Sequence, residues 1–441
     1  MYFLEFSIEG GVFSLASVTF LPARLTGCAM VPPAKSEAHR ALLLAALGEG
    51  ECCLNGFPPP LCDDTIAMIN GVTALGAVVR HEGTQLIVTP AKKPVFNQPM
   101  VECCVHACAA ALRMLIPAFL VRGQAVRFVM EQGLFKRPLD AFEPLMARLG
   151  AQITRIADYR DGKACVEISG RMPAGSYEID GSRSSQFASG MLIALAHALD
   201  ADGKPAPSQL HVLGPIVSRP YLDMTLRLME RFHVPCTEKS EGVFDLSSAV
   251  ESSPNEAAVT GDWSQAAVFL CMNAMGSNIT VTNLYADEEC LQGDSRVQEV
   301  LHGMQQNGRL TAAAIDCSDI PDLAPILALT CSQADGVSTL TGVSRLRIKE
   351  SDRLLATQEL LAQMGVRTDV SADSDTLRVW GPVQLKGGFE ADARGDHRLV
   401  MFLAAAALLA DAPITVHGVE CISKSWPGFL DSYQQLGGRI Q

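Results

Sequence analysis

Apolar and polar residues follow a pattern along the chain that recurs six times. Each copy opens with a few polar residues and continues as a helix of small and apolar residues. The helix stops at Gly or Asp, and a short run rich in Val, Thr and Ile follows, which are residues that strands favour. The predicted helices are AKSEAHRALLLAAL, HACAAALRMLIPAF, RSSQFASGMLIALA, DWSQAAVFLCMNAM, IPDLAPILALTCSQ and GDHRLVMFLAAAAL. The predicted strands are ECCLNGF, QAVRFVM, SQLHVLG, SNITVTNL, GVSTLTGV and APITVHGV. This repetition indicates one structural unit copied along the chain.

A second helix follows the strand in each copy, and its apolar residues recur at helical spacing, usually with a glycine near its end. These second helices are amphipathic, whereas the first helices are apolar on nearly every side. We therefore expect the first helices to be buried within their domain and the second helices to lie against a sheet with one face in water. The sequence predicts an α/β protein of two domains, each with three copies of the unit.

Most polar residues in these units lie at the starts of helices, where backbone N–H groups lack partners and the helix dipole is positive. Such helix ends attract anions. Ser184, Ser185 and Gln186 add hydroxyl and amide groups at one of them. A single cation near a helix end is usually solvated or paired with an acid, but eight at equivalent places predict a shared pocket for a ligand with several negative charges. These cations are Lys35, Arg40, Arg113, Arg137, Lys349, Arg353, Arg398 and Lys424.

The composition narrows the class of protein. The formal net charge of the 441 residues is -13 and no basic run is present, which argues against a nucleic-acid partner. The sequence has no uninterrupted apolar run of about 18 residues and no basic start followed by an apolar core, so we expect a cytoplasmic protein. Its 14 cysteines lie in apolar runs and are expected to be free thiols. The closest group, CCVHAC, lacks a second pair of zinc ligands.

Four carboxylates lie among the cations of the second half of the chain. Asp352 in KESDR and Asp396 in GDHR are interpreted as partners that orient arginines or cap helices. Asp322 in DIPDLAP and Glu350 in KESDR are the better candidates for acid or base chemistry, because each is expected to face the predicted pocket.

Several separated motifs occur in a fixed order: KSEAHR at Lys35, SSQF at Ser184, VSRPY at Val217, IPD at Ile320, RIKESDR at Arg347, GDHR at Gly395 and KSWP at Lys424. With these motifs the chain resembles the EPSP synthase (3-phosphoshikimate 1-carboxyvinyltransferase) family from about Val18 to its C-terminus. The resemblance implies a two-domain inside-out α/β barrel-like fold with six copies of an α/β repeat, three per domain, which closes on its substrates. It also implies that the chain crosses twice between domains, so that residues 34–259 form one domain and residues 1–33 plus 260–441 the other.

Enzymes of this family transfer the enolpyruvyl group of phosphoenolpyruvate to the 5-hydroxyl of shikimate 3-phosphate and release phosphate, a step of the shikimate pathway towards chorismate and aromatic amino acids. The resemblance implies this transferase activity, two small-molecule substrates and no metal or organic cofactor. It makes Asp322 the base, Glu350 the acid and Lys35 a further catalytic residue. We expect a monomer without a nucleic-acid or membrane partner. The implied substrate-binding residues are Lys35, Ser36, Arg40, Arg113, Arg137, Ser184, Ser185, Gln186, Ser218, Arg219, Tyr221, Asp322, Arg345, Lys349, Arg353, Arg398 and Lys424.

The chain departs from the family in the run VHACAAALR, which ends at Arg113 and stands where the family has a glycine-bearing loop. His106 and Ala109 occupy positions of family glycines, and the alanine methyl excludes space that glycine leaves open. We expect weaker binding of phosphoenolpyruvate and crowding of glyphosate, the family's inhibitor at that site.

Two alternatives remain at this point: a non-catalytic shikimate-phosphate-binding relative and a UDP-N-acetylglucosamine enolpyruvyl transferase. The second lacks support because the chain has KESDR and no cysteine loop typical of that enzyme. Residues Met1 to Ser17 precede the usual family start and indicate an extra strand or a mis-assigned start.

Overall fold

The computed structural model describes residues 17–92, 98–247, 252–285 and 290–441. The prediction about the N-terminal extension therefore falls outside the described residues, apart from Ser17, which begins the first strand.

Helices occupy the positions that the repeated pattern predicts. The described helices are α1 (Lys35–Leu47), α2 (Asp63–Ala74), α3 (Ala109–Arg122), α4 (Gln132–Phe135), α5 (Glu143–Leu149), α6 (Ser185–Leu195), α7 (Arg219–Arg231), α8 (Trp263–Ala274), α9 (Val297–Met304), α10 (Ala324–Cys331), α11 (Arg353–Gln363), α12 (His397–Ala407) and α13 (Phe429–Gln435). All six apolar segments contain a helix, namely α1, α3, α6, α8, α10 and α12.

Strands likewise occupy the predicted positions. The described strands are β1 (Ser17–Leu21), β2 (Thr26–Met30), β3 (Cys52–Asn55), β4 (Val78–Glu82), β5 (Gln85–Thr89), β6 (Val101–His106), β7 (Val126–Met130), β8 (Gln152–Arg160), β9 (Lys163–Ser169), β10 (Ser176–Asp180), β11 (Ser208–Leu213), β12 (Cys236–Ser240), β13 (Val243–Leu246), β14 (Glu256–Ala258), β15 (Asn278–Thr282), β16 (Gln305–Gln306), β17 (Arg309–Leu310), β18 (Ala314–Asp316), β19 (Gly336–Thr341), β20 (Thr368–Val370), β21 (Thr376–Gly381), β22 (Phe389–Asp392), β23 (Ile414–His417) and β24 (Arg439–Ile440). Each of the six predicted strand segments contains one of them, namely β3, β7, β11, β15, β19 and β23.

The sheets show the repeat directly. Four sheets of the described chain share one topology, with strand orders β14-β3-β5-β4, β6-β7-β9-β8, β10-β11-β13-β12 and β18-β19-β21-β20. In each of them the first pair is parallel and the other two pairs are antiparallel. In three of these sheets an apolar helix lies between the two parallel strands along the chain, as a parallel pair requires.

The first and last described strands meet in the second half of the molecule. Strand β1 lies antiparallel between β23 and β24, and β2 is parallel to β15. In the opposite direction, β14 returns to the first half and pairs with β3. The chain therefore crosses between the halves once after β2 and once after β14.

Two hydrophobic cores accompany these crossings. In the first core α1, α3 and α6 pack against one another, and in the second α8, α10 and α12 do the same. All residues of α12 are buried, as are those of α1 from Glu37 onward, which confirms that the first helices are interior. The chain passes from the second core to the first between Val31 and Ala38, and returns to the second core between Val259 and Trp263. Leu291 is an exception, because it packs in the first core. On this basis we propose residues 34–259 as one domain and residues 1–33 plus 260–441 as the other.

One glycine permits a close approach of two buried helices. A side-chain carbon at Gly190 of α6 would lie 2.7 Å from the Cα of Met114 in α3, which is closer than packed atoms allow. The approach brings the neighbouring side chains together, so that Arg113 Nη1 donates to Gln186 Oε1 at 3.0 Å.

Among the described residues no helix is long and apolar enough to cross a membrane.

Candidate active site

A single cavity lies where the starts of all six buried helices converge. Lys35 begins α1, Ala109 and Ala110 begin α3, and Ser184 precedes α6. The second half contributes the starts of α8, α10 and α12 in the same way. The described residues that line the cavity are Lys35, Ser36, His39, Arg40, Asp64, Ala109, Ala110, Arg113, Arg137, Pro138, Arg183, Ser184, Ser185, Gln186, Ser218, Tyr221, Asp262, Ser264, Pro321, Asp322, Arg345, Ile348, Lys349, Glu350, Arg398 and Lys424.

The charge of this cavity is opposite to that of the chain. Among the described residues, nine Lys or Arg side chains and four carboxylates line it, whereas the whole chain carries a formal charge of -13. Because six helix N-termini point into the same space, their dipoles add to the positive potential. A cleft of one sign within an acidic protein concentrates small anions.

Asp322 lies in the centre of the cations from the second half. Its Oδ1 lies 2.9 Å from Arg353 Nη1 and 3.1 Å from Lys349 Nζ, and its Oδ2 lies 3.0 Å from Arg398 Nη2. Burial opposes ionisation, but Arg398, Lys349 and Arg353 outweigh it and hold the pKa of Asp322 well below the usual value. Asp322 is thus a carboxylate, the form that a base requires.

Glu350 lies beside the contact between the halves. Its Oε2 is 2.6 Å from Arg353 Nη2 and its Oε1 is 3.1 Å from Lys424 Nζ, and Lys424 also donates to the carbonyl of Ala107 in the first half at 3.0 Å. Burial favours the neutral acid, but Lys424, Arg353 and Arg137 together hold the pKa of Glu350 well below its usual value. Two of these cations, Lys424 and Arg137, also line the cavity, so groups bound there change the proton affinity of Glu350.

Lys35 is held at the start of α1 by an acid from α2. Its Nζ lies 3.0 Å from Asp64 Oδ2, and His39 Nε2 lies 2.9 Å from the carbonyl of the same aspartate. Burial lowers the pKa of Lys35, but Asp64 and Glu350 more than compensate and raise it. Burial lowers the pKa of His39 to about 4, so the imidazole is neutral. Lys35 therefore remains charged although its side chain is only 20% exposed.

Arg40 is largely occupied by contacts within its own half. Its guanidinium donates to Thr225 at 2.7 Å, to Ser189 at 3.1 Å, and to the carbonyls of Ser36 and Tyr221 at 2.7 and 3.0 Å. These bonds use four of its five N–H groups, which leaves one on Nη1 for the cavity.

Hydroxyl and amide groups gather at the start of α6 and opposite it. Ser184 caps α6 by accepting from the backbone N–H of Gln186. Across the cleft both terminal nitrogens of Arg345 lie 3.2 Å from Ser218 Oγ.

Two further arginines face the cavity from the first half. Burial, and then the nearby Arg137, lower the pKa of Arg113 to about 9. Arg137 forms no side-chain ion pair among the described residues, and its buried Nε lacks a hydrogen-bond partner.

Two residues that the sequence placed in the site lie outside the cavity lining. Arg219 begins α7 and points to the outer face of that helix, because Asp223 at 2.7 Å and Glu238 at 2.5 Å hold its guanidinium there. Arg219 thus lies outside the lining of the cavity, and its assignment as a substrate contact stays a prediction. Arg353 lies beneath the cavity, 1% exposed, with its guanidinium enclosed by three carboxylates. It acts on the site through Asp322 and Glu350.

Asp352 and Asp396, which the sequence indicates as partners of arginines or helix caps, have that role. Asp396 accepts from the backbone N–H of Arg398 at the start of α12 and holds Arg353 at 2.8 Å. Asp352 caps α11 by accepting from Leu355 N and lies 2.8 Å from Arg347. The remaining predicted site residues all line the cavity.

Several residues of the lining were not predicted from the sequence. Asp64 lies on the amphipathic helix α2 and not at the start of an apolar helix. His39 lies in the motif KSEAHR at the start of α1, so its position was a signal that could have found it. Asp262 caps α8 as Asp396 caps α12, so the shared Asp at these two helix starts was a signal that could have found it. Arg183 lies beside Ser184 and pairs with Asp140 at 3.0 Å.

The altered loop lies against the cavity as the sequence indicated. Ala109 and Ala110 are lining residues, and Cys108 caps α3 through its sulfur. His106 adopts φ 48°, in the left-handed region that glycine occupies at little cost.

The fold has two halves, each built from three copies of an α/β unit, with a cleft between them that attracts anions. This arrangement is that of the enolpyruvyl transferase class of α/β proteins. The EPSP synthase of Acinetobacter baumannii is similar, with a TM-score of 0.74 and 21% identity over 96% of this chain and 99% of that chain. The enolpyruvyl transferase NikO from Streptomyces tendae is similar with a TM-score of 0.71 and 16% identity over 96% of this chain and 98% of that chain. At these identities the likeness establishes the fold.

Sequence similarity identifies the family. The family model for EPSP synthase (3-phosphoshikimate 1-carboxyvinyltransferase) matches residues 21–433. A relative from Clostridioides difficile strain 630 is 31% identical over 447 residues, covering 97% of this chain and 98% of its own, and one from Methanocorpusculum labreanum is 34% identical over 434 residues, covering 95% and 98%. Both are named 3-phosphoshikimate 1-carboxyvinyltransferase. The chain belongs to the EPSP synthase family and is a transferase, which confirms the resemblance seen in its motifs.

Proposed function

We propose that the chain transfers the enolpyruvyl group of phosphoenolpyruvate to the 5-hydroxyl of shikimate 3-phosphate by means of the residues described above. One observation carries the proposal: cations from both halves line the same cavity as Asp322 and Glu350. Two small acids with a phosphate each need such a concentration of positive charge to be held side by side.

The two substrates are assigned to neighbouring parts of the cavity. Shikimate 3-phosphate is proposed to lie at the start of α6, where Ser184, Ser185 and Gln186 meet Ser218 and Tyr221, with Ser36 and Arg40 at its ring. Phosphoenolpyruvate is proposed to lie against the cations that contact or approach the acid pair, which are Lys35, Arg113, Arg137, Lys349, Arg398 and Lys424.

The addition step follows from the positions of the two acids. Asp322 takes the proton of the 5-hydroxyl as that oxygen bonds to C2 of phosphoenolpyruvate, and Glu350 gives a proton to C3, which becomes a methyl group. In the elimination step the C2–O bond to phosphate breaks, Glu350 takes a proton back from C3, and phosphate leaves with the proton from Asp322. Lys35 and the other cations stabilise the negative charge on the departing phosphate.

Glu350 must hold a proton to act as an acid, and its environment explains how it can. Without ligand, Lys424, Arg353 and Arg137 lower the pKa of Glu350, with burial acting against them. Anionic groups bound to Lys424 and Arg137 offset that positive field and raise the pKa of Glu350. Substrate binding thereby prepares the acid.

The altered loop gives a second candidate, a shikimate-phosphate-binding protein without turnover. Ala109 and Ala110 place methyl groups in the region assigned to phosphoenolpyruvate. The acid pair and its cations are nevertheless all present, and they support the enzyme.

We further propose that the protein works as a monomer in the cytoplasm. Residues of one chain line the cavity on both sides, which supports the first point. All fourteen cysteines are free thiols, which supports a reducing compartment.

The test follows phosphate release from phosphoenolpyruvate with shikimate 3-phosphate, and in parallel with UDP-N-acetylglucosamine, as acceptor. We expect release with shikimate 3-phosphate only. Asp322→Asn and Glu350→Gln are each expected to reduce it by about 100-fold or more. Calorimetric binding of shikimate 3-phosphate without release identifies the non-catalytic protein, and release with UDP-N-acetylglucosamine alone contradicts the proposal.

A further inference from the structure

One buried carboxylate behind the cavity has no role in the mechanism described above. Asp294 lies in the turn Gly293–Arg296 before α9 and is 1% exposed. Its Oδ2 accepts from the Tyr221 hydroxyl at 3.1 Å and from Ser264 Oγ, and both of those residues line the cavity. Its Oδ1 is buried without a hydrogen-bond partner among the described residues.

The contact with Tyr221 joins the two halves of the molecule. Tyr221 belongs to α7 of the first half, and its backbone carbonyl is fixed by Arg40 and Thr225. Asp294 and Ser264 belong to the second half. The tyrosine hydroxyl is thus oriented by a group across the cleft, and that group decides where its single O–H points.

The surroundings of Asp294 favour its neutral form. The titratable and charged groups that face it are the Tyr221 hydroxyl on α7, Asp262 at the start of α8, Asp322 before α10 and Arg398 on α12. Burial, and then Asp322, raise the pKa of Asp294 to about 6, while Ser264 and Arg398 act in the opposite direction and Asp262 adds to the increase. A proton can therefore be gained here near neutral pH.

The Tyr221 hydroxyl has one proton to donate and cannot give it to two acceptors. In the structure that proton goes to Asp294. A phosphate placed at Tyr221 is a stronger acceptor and adds negative charge next to Asp294, which favours protonation of the carboxylate. The protonated Asp294 can then donate to the tyrosine oxygen and release the tyrosine O–H for the phosphate.

We propose that Asp294 is a positioning residue that takes up a proton when the phosphorylated acceptor binds, and so turns the Tyr221 hydroxyl from Asp294 towards the phosphate. No bond other than those to the moving protons changes, and the proton comes from solvent. The proposal rests on the proposed function, since it assumes that a sugar-like acid with a phosphate occupies this side of the cavity.

The test measures proton uptake when shikimate 3-phosphate binds, by calorimetry at pH 7 in buffers of different ionisation enthalpy, without phosphoenolpyruvate. The matched variant is Asp294→Asn, whose amide can donate to the Tyr221 oxygen at every pH. The ligand phosphate also titrates near pH 6, but it contributes equally to both proteins. We expect the wild type to take up between about half and one proton more than Asp294→Asn.

The pH dependence of the affinity for shikimate 3-phosphate provides a second measurement, which would not change if Asp294 had only a structural role. Relative to Asp294→Asn, the wild type is expected to lose affinity about tenfold per pH unit above pH 6.5, with the two proteins similar below pH 6. Equal proton uptake and parallel pH profiles overturn the proposal. If Asp294→Asn unfolds, Tyr221→Phe replaces it. That variant has no hydroxyl to donate to the phosphate, so a wild-type affinity below pH 6 no greater than that of Tyr221→Phe overturns the proposal as well. A wild type that does not bind shikimate 3-phosphate at all refutes the proposed function instead.

Discussion

Arg353→Lys is the substitution that most directly probes how the acid pair is held. The guanidinium of Arg353 is 1% exposed and makes four charge-assisted hydrogen bonds. Two go to Asp396 at 2.8 and 3.0 Å, one goes to Asp322 at 2.9 Å and one to Glu350 at 2.6 Å. Lysine keeps the charge but offers a single nitrogen without the planar fork, so it cannot reach three carboxylates at once.

The magnitude follows from the bonds that are lost. Lysine can retain one or two of the four, and each charge-assisted bond to a buried group contributes about 1.5–3 kcal/mol. With two or three bonds lost, the free energy of unfolding of the second domain is expected to fall by about 3–9 kcal/mol. For a domain of that size each kcal/mol corresponds to roughly 2–4 °C in Tm, so a decrease of about 6 °C or more is expected. Because Asp322 and Glu350 lose their fixed positions, kcat is expected to fall at least about tenfold.

Differential scanning calorimetry and steady-state kinetics check this expectation against Arg347→Lys as a matched control. Arg347 pairs with Asp352 at 2.8 Å, but both side chains are more than a third exposed, so that pair contributes less than about 1 kcal/mol. A Tm for Arg353→Lys within about 3 °C of the control, with unchanged kcat, refutes the role assigned to Arg353.

Three further substitutions test separate parts of the site. Ala109→Gly removes a methyl group from the cavity wall. Relief of about 1 kcal/mol of crowding should lower KM for phosphoenolpyruvate about fivefold, and glyphosate should inhibit more strongly. An unchanged inhibition constant for glyphosate contradicts the crowding. Lys424→Met removes an ammonium that lies 3.1 Å from Glu350. KM for phosphoenolpyruvate should rise about 10- to 100-fold, while the calorimetric affinity for shikimate 3-phosphate should stay within about threefold. Equal weakening of the binding of both ligands argues against the assigned division of the cavity. Arg219→Met changes a side chain outside the cavity, so binding of shikimate 3-phosphate should stay within about twofold, and a tenfold loss restores the family's assignment.

The repeating elements could be predicted because their signal is local. Apolar helices such as α12, and strands such as β19 rich in Val and Thr, carry their own periodicity in the sequence. The pairing of β1 with β23 and of β2 with β15 joins segments hundreds of residues apart, and no local pattern encodes it. The resemblance to a family supplied that part of the topology.

The functional site also has a part that the sequence predicts and a part that it does not. The cations at helix starts could be found because the start of a helix is visible in the sequence and attracts anions. The direction of a side chain is not visible there: Arg219 and Tyr221 lie two residues apart on α7 and face opposite surroundings. The sequence placed Arg353 in the pocket, but it lies beneath the cavity, where three carboxylates from separate segments enclose it. Asp294 contacts Tyr221 across the two halves, a contact that only the assembled fold creates.

The proposed mechanism requires Glu350 to exchange a proton with C3 of phosphoenolpyruvate while cations from both halves hold the two substrates. Running the reaction in D₂O and examining the vinyl group of the product by proton NMR follows this exchange at the reacting carbon. Addition places a deuteron on C3 and elimination can remove a proton instead, so we expect deuterium in the vinyl group of the wild-type product and loss of both product and exchange in Glu350→Gln. A product formed in D₂O with a fully protonated vinyl group, or undiminished exchange in Glu350→Gln, contradicts the mechanism.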